Sequence, residues 1–562
     1  MTLEDRLDLW ARGWRGPWLA AAIALVGGLP GALGLPPLDR DESRFAEASA
    51  QMLESGDFVT IRFQDAPRFR KPVGIYWLQA ASVKTVSQVE DRAIWAYRIP
   101  SLLGAMIAAA ACAWGAAAFL RPGPSFLAGA MLGASALLST EASIAATDAV
   151  LAGAVTTAMA ALARIYLAAR GGAPAGRGVK AVFWAALALS ILVKGPIGPM
   201  VVALTLIALG LWDRKIAWLK TLGWGWGAIL LLAVLGPWAL AVTVATDGAF
   251  WGAAVGGDLA PKLLGGQEGH GAPPGFHALL LPLLIFPACL LLPAGLTAGW
   301  RARGEPAVRF ALCWLIPAWL VFELAPTKLA HYTLPLYGAL AWLMARALTE
   351  PVETGARWAG AGLALLAGLL LAAAGPAAMN GLHDWSGGAR AAVAAALFLA
   401  AALAGGWLLL RGRAGRAVAL AGVLALAGHG VLAGALAPAL KPLWLSSRAA
   451  KALAAAGASP TEGFTSGPVT VAGYEEPSLV FLLGAETELG DGADAAAAIA
   501  EGRPAIVEGR QEPAFRAALA EAGVGARRIG NGAGLDYSNH RHDILSIYLP
   551  LAPAAAPAKA SP

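Results

Sequence analysis

Long apolar runs separated by short basic connectors fill the chain from Trp18 to about Leu440. Runs of about 18 residues suffice to cross a hydrocarbon core of roughly 30 Å. Segmentation by hydropathy gives spans near residues 17–36, 99–120, 123–140, 149–169, 181–193, 196–212, 222–244, 277–299, 307–324, 332–348, 358–376, 390–410 and 416–438. That pattern predicts a polytopic α-helical membrane protein with thirteen crossings. Alternating the sides puts Arg121, Arg170, Arg177, Lys180, Arg214, Lys215, Lys220, Arg301, Arg303, Arg309, Arg346, Arg357, Arg411, Arg413 and Arg416 on the side of the N-terminus. The positive-inside rule makes that side cytoplasmic and, with an odd count, leaves the C-terminus outside. Two short neighbours, 181–193 and 196–212, meet at Lys194-Gly195-Pro196. The first run lacks a small-residue cleavage site before its polar flank, so it reads as a retained helix.

Three outer stretches are too polar to be turns. Residues 39–98 carry eighteen charges, nine of them basic, against the rule that the inner loops obey. Cations kept there call for an anionic partner. Residues 243–277 are glycine-rich and read as a lid. Residues 445–551 read as a small α/β domain, with strands near 469–472, 505–508 and 544–549 and helices near 476–483 and 513–522. From residue 445 onward thirteen acids face nine bases, which suits an exterior domain, and residues 552–562 are an Ala/Pro-rich tail expected to be disordered. Residues 1–444 then form the membrane-embedded domain.

Composition agrees with this reading: 58% of the 562 residues are hydrophobic and 14% charged, where a soluble domain carries about 25% charge. Mean hydropathy is +0.61. The net charge of +6 lies largely in short loops, so it is a topology signal and no nucleic-acid partner is expected. Cys112, Cys289 and Cys313 all sit in apolar runs, which leaves neither a disulfide framework nor a cysteine zinc site. There is no Walker motif, His-Glu-x-x-His or Gly-x-Gly-x-x-Gly after a strand.

The first outer loop holds the densest chemistry. Asp41 is placed to cap a helix over residues 42–55 that Gly56 closes, with Phe45, Ala48 and Met52 at helical spacing. A plain amphipathic helix at the membrane surface accounts for these residues; the sharper reading puts Asp41 and Glu42 at a cavity, where a carboxylate takes a proton from an acceptor. Arg68, Arg70 and Lys71, followed by Tyr76 and Trp77, suit a phosphate with an apolar tail, with headgroup snorkelling as the plain alternative. Asp148 opens an apolar span, where an ionised carboxylate costs roughly 2.5–3.5 kcal/mol at mid-membrane, so it should face protein or water. Lys194 and Lys328 sit where spans meet the outer surface, and with Arg44 and Lys71 would form a cationic ceiling over a lipid phosphate.

The order Asp41-Glu42-Ser43-Arg44-Phe45-Ala46-Glu47, then Gly56-Asp57-Phe58-Val59-Thr60, then Lys71-Pro72 with Tyr76-Trp77, resembles the lipid A aminoarabinose transferases. These are relatives of the protein O-mannosyltransferases within the GT-C glycosyltransferases. Thr147-Asp148, Lys194-Gly195-Pro196, the stretch from His270 to Gly275, and Lys328-Leu329 with Tyr332 and Leu334-Pro335 extend the resemblance over about 300 residues. It implies a GT-C fold, a polyprenyl-phosphate-sugar donor in the outer leaflet, and inverting transfer to lipid A or another lipid or glycan acceptor on the periplasmic side of the bacterial inner membrane. Carried over by motif, Asp41 is the catalytic carboxylate and Asp148 the second acid; Arg44, Lys71 and Tyr332 hold the leaving phosphate, Lys194 and Lys328 assist, and Lys262 stands where relatives have a lid arginine. Arg70, Tyr76, Trp77 and His270 are expected around the substrate. Relatives often carry Glu before the Lys-Pro, where this chain has Arg70, so the sugar and any divalent metal stay open. A monomer is expected. A protein O-mannosyltransferase acting on Ser/Thr and a lipid or sugar flippase are the alternatives; a transporter would place its polar residues at the midplane, whereas here they gather at the outer edge.

Overall fold

The computed structural model describes residues 3–261, 271–464 and 467–551. Among these, eight helices are long and apolar enough to cross a membrane: Arg15–Gly34, Ile94–Ala116, Asp148–Ala168, Trp224–Ala245, Pro306–Leu324, Thr354–Leu382, Gly388–Leu410 and Ala414–Ala439. The number rises to nine if the pair Phe276–Leu284 and Ala288–Arg301, bent by 113°, counts as one span. Of the other predicted segments, 181–193 falls in the unbroken 18-residue helix Arg177–Lys194, which carries three charges, and 196–212 in the 17-residue helix Ile197–Asp213, while the remaining two are broken. The 123–140 segment divides into Pro122–Gly133 and Ala136–Ala142, and the 332–348 segment begins as a 3-10 turn, Ala330–Leu336, before Tyr337–Ala347. Hydropathy reads composition and is blind to such breaks.

Ile94–Ala116 and Asp148–Ala168 meet at glycines. A Cβ on Gly104 would lie 2.6 Å from the Val150 backbone, and one on Gly153 would lie 2.5 Å from the Gly104 carbonyl. Small residues at such a crossing let backbones touch, and here they draw the Asp148 end of one helix toward the Arg98 end of the other. Cys112, Cys289 and Cys313 are all buried and free.

The loop over residues 39–98 forms two helices, Asp41–Ser55 and Gly74–Val86, with a small hairpin of β1 (Arg62–Phe63) and β2 (Ala66–Pro67) between them. Gly56 ends the first helix in the left-handed conformation at φ +73°, its N–H donating to the Met52 carbonyl. Asp41, expected as the N-cap, is instead the first helical residue. The residue before the helix is Arg40, at φ +61° and with no side-chain cap bond.

The C-terminal segment is a five-stranded mixed sheet of β3 (Thr470–Ala472), β4 (Glu488–Gly490), β5 (Ala505–Glu508), β6 (Ala526–Asp536) and β7 (Arg541–Pro550), in the order β4-β3-β5-β7-β6. β3 pairs in parallel with β4 and β5, while β7 runs antiparallel to β5 and β6. The long pair β6 and β7 includes a strand absent from the sequence reading. Helices Leu445–Ala455, Pro477–Leu483, Gly492–Ala500 and Glu512–Ala522 pack with the sheet. The expected tail, 552–562, lies outside the described residues.

Candidate active site

Asp41 and Glu42, neighbours in sequence, point to different environments. The Asp41 side chain is 71% exposed, with Arg68 Nη2 3.7 Å away. Arg68 is itself buried against the Phe45 ring, 5.4 Å from its centroid. Glu42 is buried and saturated. Arg98 donates Nε to Oε1 at 2.8 Å and Nη2 to Oε2 at 2.7 Å, while the backbone N–H groups of Leu38 and Ala145 donate at 2.8 and 2.7 Å. The remaining Arg98 donors reach the carbonyls of Ala32, Leu35 and Pro36. A carboxylate with four donors has no free position for proton transfer, so the role proposed for Glu42 becomes positional, and Asp41 is the acid the helix presents outward.

A cavity of about 230 Å³ opens beside this loop. Its polar lining comes from Arg70 and Lys71 of the 39–98 loop, Asp148 at the start of its helix, Lys194 at the end of Arg177–Lys194, and Tyr332. Its apolar wall includes Leu151, Met200, Phe250, Trp251, Val255, Val321 and Phe322. Gly195 at φ +60° and Pro196 turn the chain sharply after Lys194, leaving the ammonium at the cavity rim.

Lys194 Nζ donates to Asp148 Oδ1 at 2.5 Å and stands 5.6 Å over the Tyr332 ring. Thr147 Oγ1 donates to Asp148 Oδ2 at 3.1 Å. His331 Nε2 lies 3.7 Å from Asp148 Oδ1, and its Nδ1 lies 3.4 Å from Glu141 Oε1. Among the described residues, Glu141, Asp148 and His331 each bring one ligand atom within 4.8 Å of the others. One imidazole and two carboxylates suit a divalent ion by donor type. The Asp148 oxygen facing His331 is already held by the Lys194 ammonium, so the site as built carries its own cation and fits a metal poorly.

A larger hollow of about 570 Å³ lies at the opposite end of these helices, lined by Leu7, Asp8, Arg121, Arg413 and Arg416. Arg121 is paired with Asp8 there, and none of the motif residues reaches it. Chemistry, not size, marks the smaller cavity.

No protein-family model matches the chain. The curated undecaprenyl phosphate-alpha-4-amino-4-deoxy-L-arabinose arabinosyl transferase of Pseudomonas paraeruginosa is 30% identical over 316 residues, 55% of each chain. A relative of the same description from Sodalis glossinidius is 30% identical over 315 residues, 54% of each. The chain thus spans about half the length of the curated relatives it matches. Among solved structures, ArnT from Cupriavidus metallidurans bound to undecaprenyl phosphate superposes with a TM-score of 0.74 at 21% identity, covering 94% of this chain and 97% of that one. The archaeal oligosaccharyltransferase AglB from Archaeoglobus fulgidus gives 0.50 at 12% identity over 90% and 70%.

The chain is similar in sequence and in fold to the aminoarabinose transferases. It is a multi-pass membrane protein with a GT-C fold and a C-terminal sheet domain.

Set beside these transferases, the cavity gathers Arg70, Lys71, Asp148, Lys194 and Tyr332. Other motif residues stand apart from it. Arg44 is half-buried, one helical turn beyond Asp41. Tyr76 is buried with its ring 5.5 Å from that of Phe45, and Trp77 donates Nε1 to the Phe58 carbonyl at 2.8 Å, so both brace the loop. Lys328 is buried, its Nζ donating to the carbonyls of Ala272 and Ala325 at 2.7 and 2.6 Å. Lys262 and His270 lie outside the described residues.

Three groups of this site escaped the sequence reading. Glu141 and His331 each had a signal, an acid in an apolar segment and an imidazole inside the Lys328-to-Pro335 motif. Arg98 had none, because its partner is 56 residues away. Nearby, Glu323 accepts from the Gly275 and Ala278 N–H groups at 3.0 and 2.9 Å, fastening the start of helix Phe276–Leu284.

Proposed function

We propose that this chain is a GT-C glycosyltransferase that moves a sugar, aminoarabinose or a close analogue, from undecaprenyl phosphate to lipid A or another envelope glycolipid. The observation that carries the reading is the convergence of Lys71, Lys194 and Tyr332 with Asp148 on one apolar-walled cavity at one end of the helix bundle. Cationic and hydroxyl donors suit a lipid phosphate, and an apolar wall suits its isoprenoid tail. A transporter would instead need such groups near the midplane.

In this reading the acceptor oxygen attacks the anomeric carbon from the face opposite the phosphate. The carbon–oxygen bond to the phosphate breaks, the configuration inverts, and polyprenyl phosphate leaves with one more negative charge. Lys71, Lys194 and Tyr332 stabilise that growing charge. Asp148 holds Lys194 in place. Asp41 orients the acceptor; a phosphate acceptor needs no base, whereas a hydroxyl would pass its proton to Asp41. Thirteen crossings, a cytoplasmic N-terminus, a periplasmic C-terminal domain over residues 445–551 and a monomer in the inner membrane complete the proposal, with residues 243–277 as the lid.

Mass spectrometry of lipid A and other envelope glycans, with and without the gene, tests this. The expected result is a glycolipid species one sugar heavier that disappears with the gene. Unchanged glycolipids, with label from the donor recovered in protein, would move the assignment to protein O-glycosylation.

A further inference from the structure

The C-terminal sheet domain grips the outer loop at the two residues immediately before Asp41. The Asp39 N–H donates to the Tyr537 hydroxyl at 2.7 Å, and Ser478 donates to Asp39 Oδ1. The Arg40 guanidinium donates to the Ser538 carbonyl. That turn is held in its place: Ser538 Oγ donates to Glu476 Oε2 at 3.0 Å, and Asn539 Nδ2 donates to Asp536 Oδ2 at 2.9 Å. Two further contacts fix the domain. Phe481 is fully buried against Tyr97, ring centroids 5.2 Å apart, and Gln64 Nε2 donates to the Thr487 carbonyl at 2.6 Å.

Arg40 has φ +61°, a left-handed conformation that costs a residue with a Cβ and favours glycine. Such backbone persists when its surroundings over-determine it. Here Glu42 is locked to Arg98 on one side and Asp39 to Tyr537 and Ser478 on the other, so the turn at Arg40 sets the direction in which Asp41 leaves the helix start.

We propose that the C-terminal domain acts as a positioning element of the transfer reaction, holding the left-handed turn at Arg40 through Tyr537 and Ser478 so that Asp41 faces the acceptor. This rests on the glycosyltransferase reading, in which Asp41 orients the acceptor. It assigns the domain a part in the chemical step.

The test compares the full-length wild type with Tyr537→Phe/Ser478→Ala, and with the same pair plus Arg40→Gly, in lipid nanodiscs. The pair should lower kcat at least tenfold with donor KM within twofold, and should speed amide hydrogen exchange over residues 39–44 while exchange in β5 and β7 stays as in wild type. Adding Arg40→Gly should restore part of kcat, because glycine adopts that positive φ without the cost a Cβ brings. Unchanged exchange over residues 39–44 in the pair would overturn the proposal, as would a lowered kcat that Arg40→Gly leaves untouched. Should the wild type transfer no sugar, the exchange measurement still decides on the positioning of the turn, and only the enzymatic reading falls.

Discussion

Glu42 and Arg98 form a two-point, fully buried ion pair directly beside the outward-facing Asp41. Removing one partner of a buried pair strands the other charge and costs about 3–5 kcal/mol. Glu42→Gln should therefore lower thermal stability sharply. Asp41→Asn, at an exposed side chain, should melt within a degree or two of wild type (under ~0.5 kcal/mol) yet lose transfer activity. Scanning calorimetry and a transfer assay on the two variants separate the roles; a stable, inactive Glu42→Gln would reverse them.

The Lys194 ammonium and the Asp148 carboxylate act as one unit in the cavity, since the 2.5 Å contact leaves neither free of the other. Lys194→Met should reduce turnover by at least about a hundredfold, the scale seen when one electrostatic donor is lost. Asp148→Asn should lose a similar amount, and the double variant should be no worse than the more damaged single one. Additive losses in a kinetic double-mutant cycle would mean that the two residues serve separate steps.

Much of this was legible in the sequence where chemistry and spacing coincide. The Lys71, Asp148, Lys194 and Tyr332 motifs fall in four segments that the fold brings to one cavity. What stayed hidden depended on partners distant in sequence. Nothing local separates Asp41 from Glu42; only Arg98 does. The strand β6 alternates poorly, since Gly530, Gly532 and Gly534 replace the β-formers a half-buried strand normally shows. The helix Gly492–Ala500 lay in an alanine-rich stretch, although Asp491 and Asp494 form a capping box that marks its start.

Burial raises the Asp39 carboxyl from its ordinary value of 3.8 to about 6. Burial, together with Asp39 and Asp536, also raises Glu476. Arg40 is the cation facing both groups, and the hydroxyls of Ser478, Tyr537 and Ser538 supply their hydrogen bonds. Between the ordinary and raised values the folded protein keeps protons that the unfolded chain has lost. Stability from this contact is full below about pH 4 and declines as pH rises through about 6. The melting temperature of Asp39→Asn relative to wild type should accordingly climb between about pH 4 and about pH 7. A constant difference across that window would show that the Asp39 carboxyl titrates alike in both states.

Lys328 was expected at the phosphate, but its buried ammonium instead ties Ala272 to Ala325, joining the segment before helix Phe276–Leu284 to a strip whose Ala325 and Thr327 line the cavity. An isolated bridge there, Gly271 with Thr327, runs alongside the same tie. Lys328→Met keeps the stem and removes the donor, leaving two carbonyls unpaired and that wall free to move. The tie holds the cavity's shape, which the donor needs in ground and transition states alike, and interactions of that kind appear in KM. Donor KM should rise about tenfold, the equivalent of roughly 1.4 kcal/mol, while kcat stays within about threefold of wild type. Titration of the variant with polyprenyl-phosphate sugar checks this. A fall in kcat at constant KM would return Lys328 to the departing phosphate.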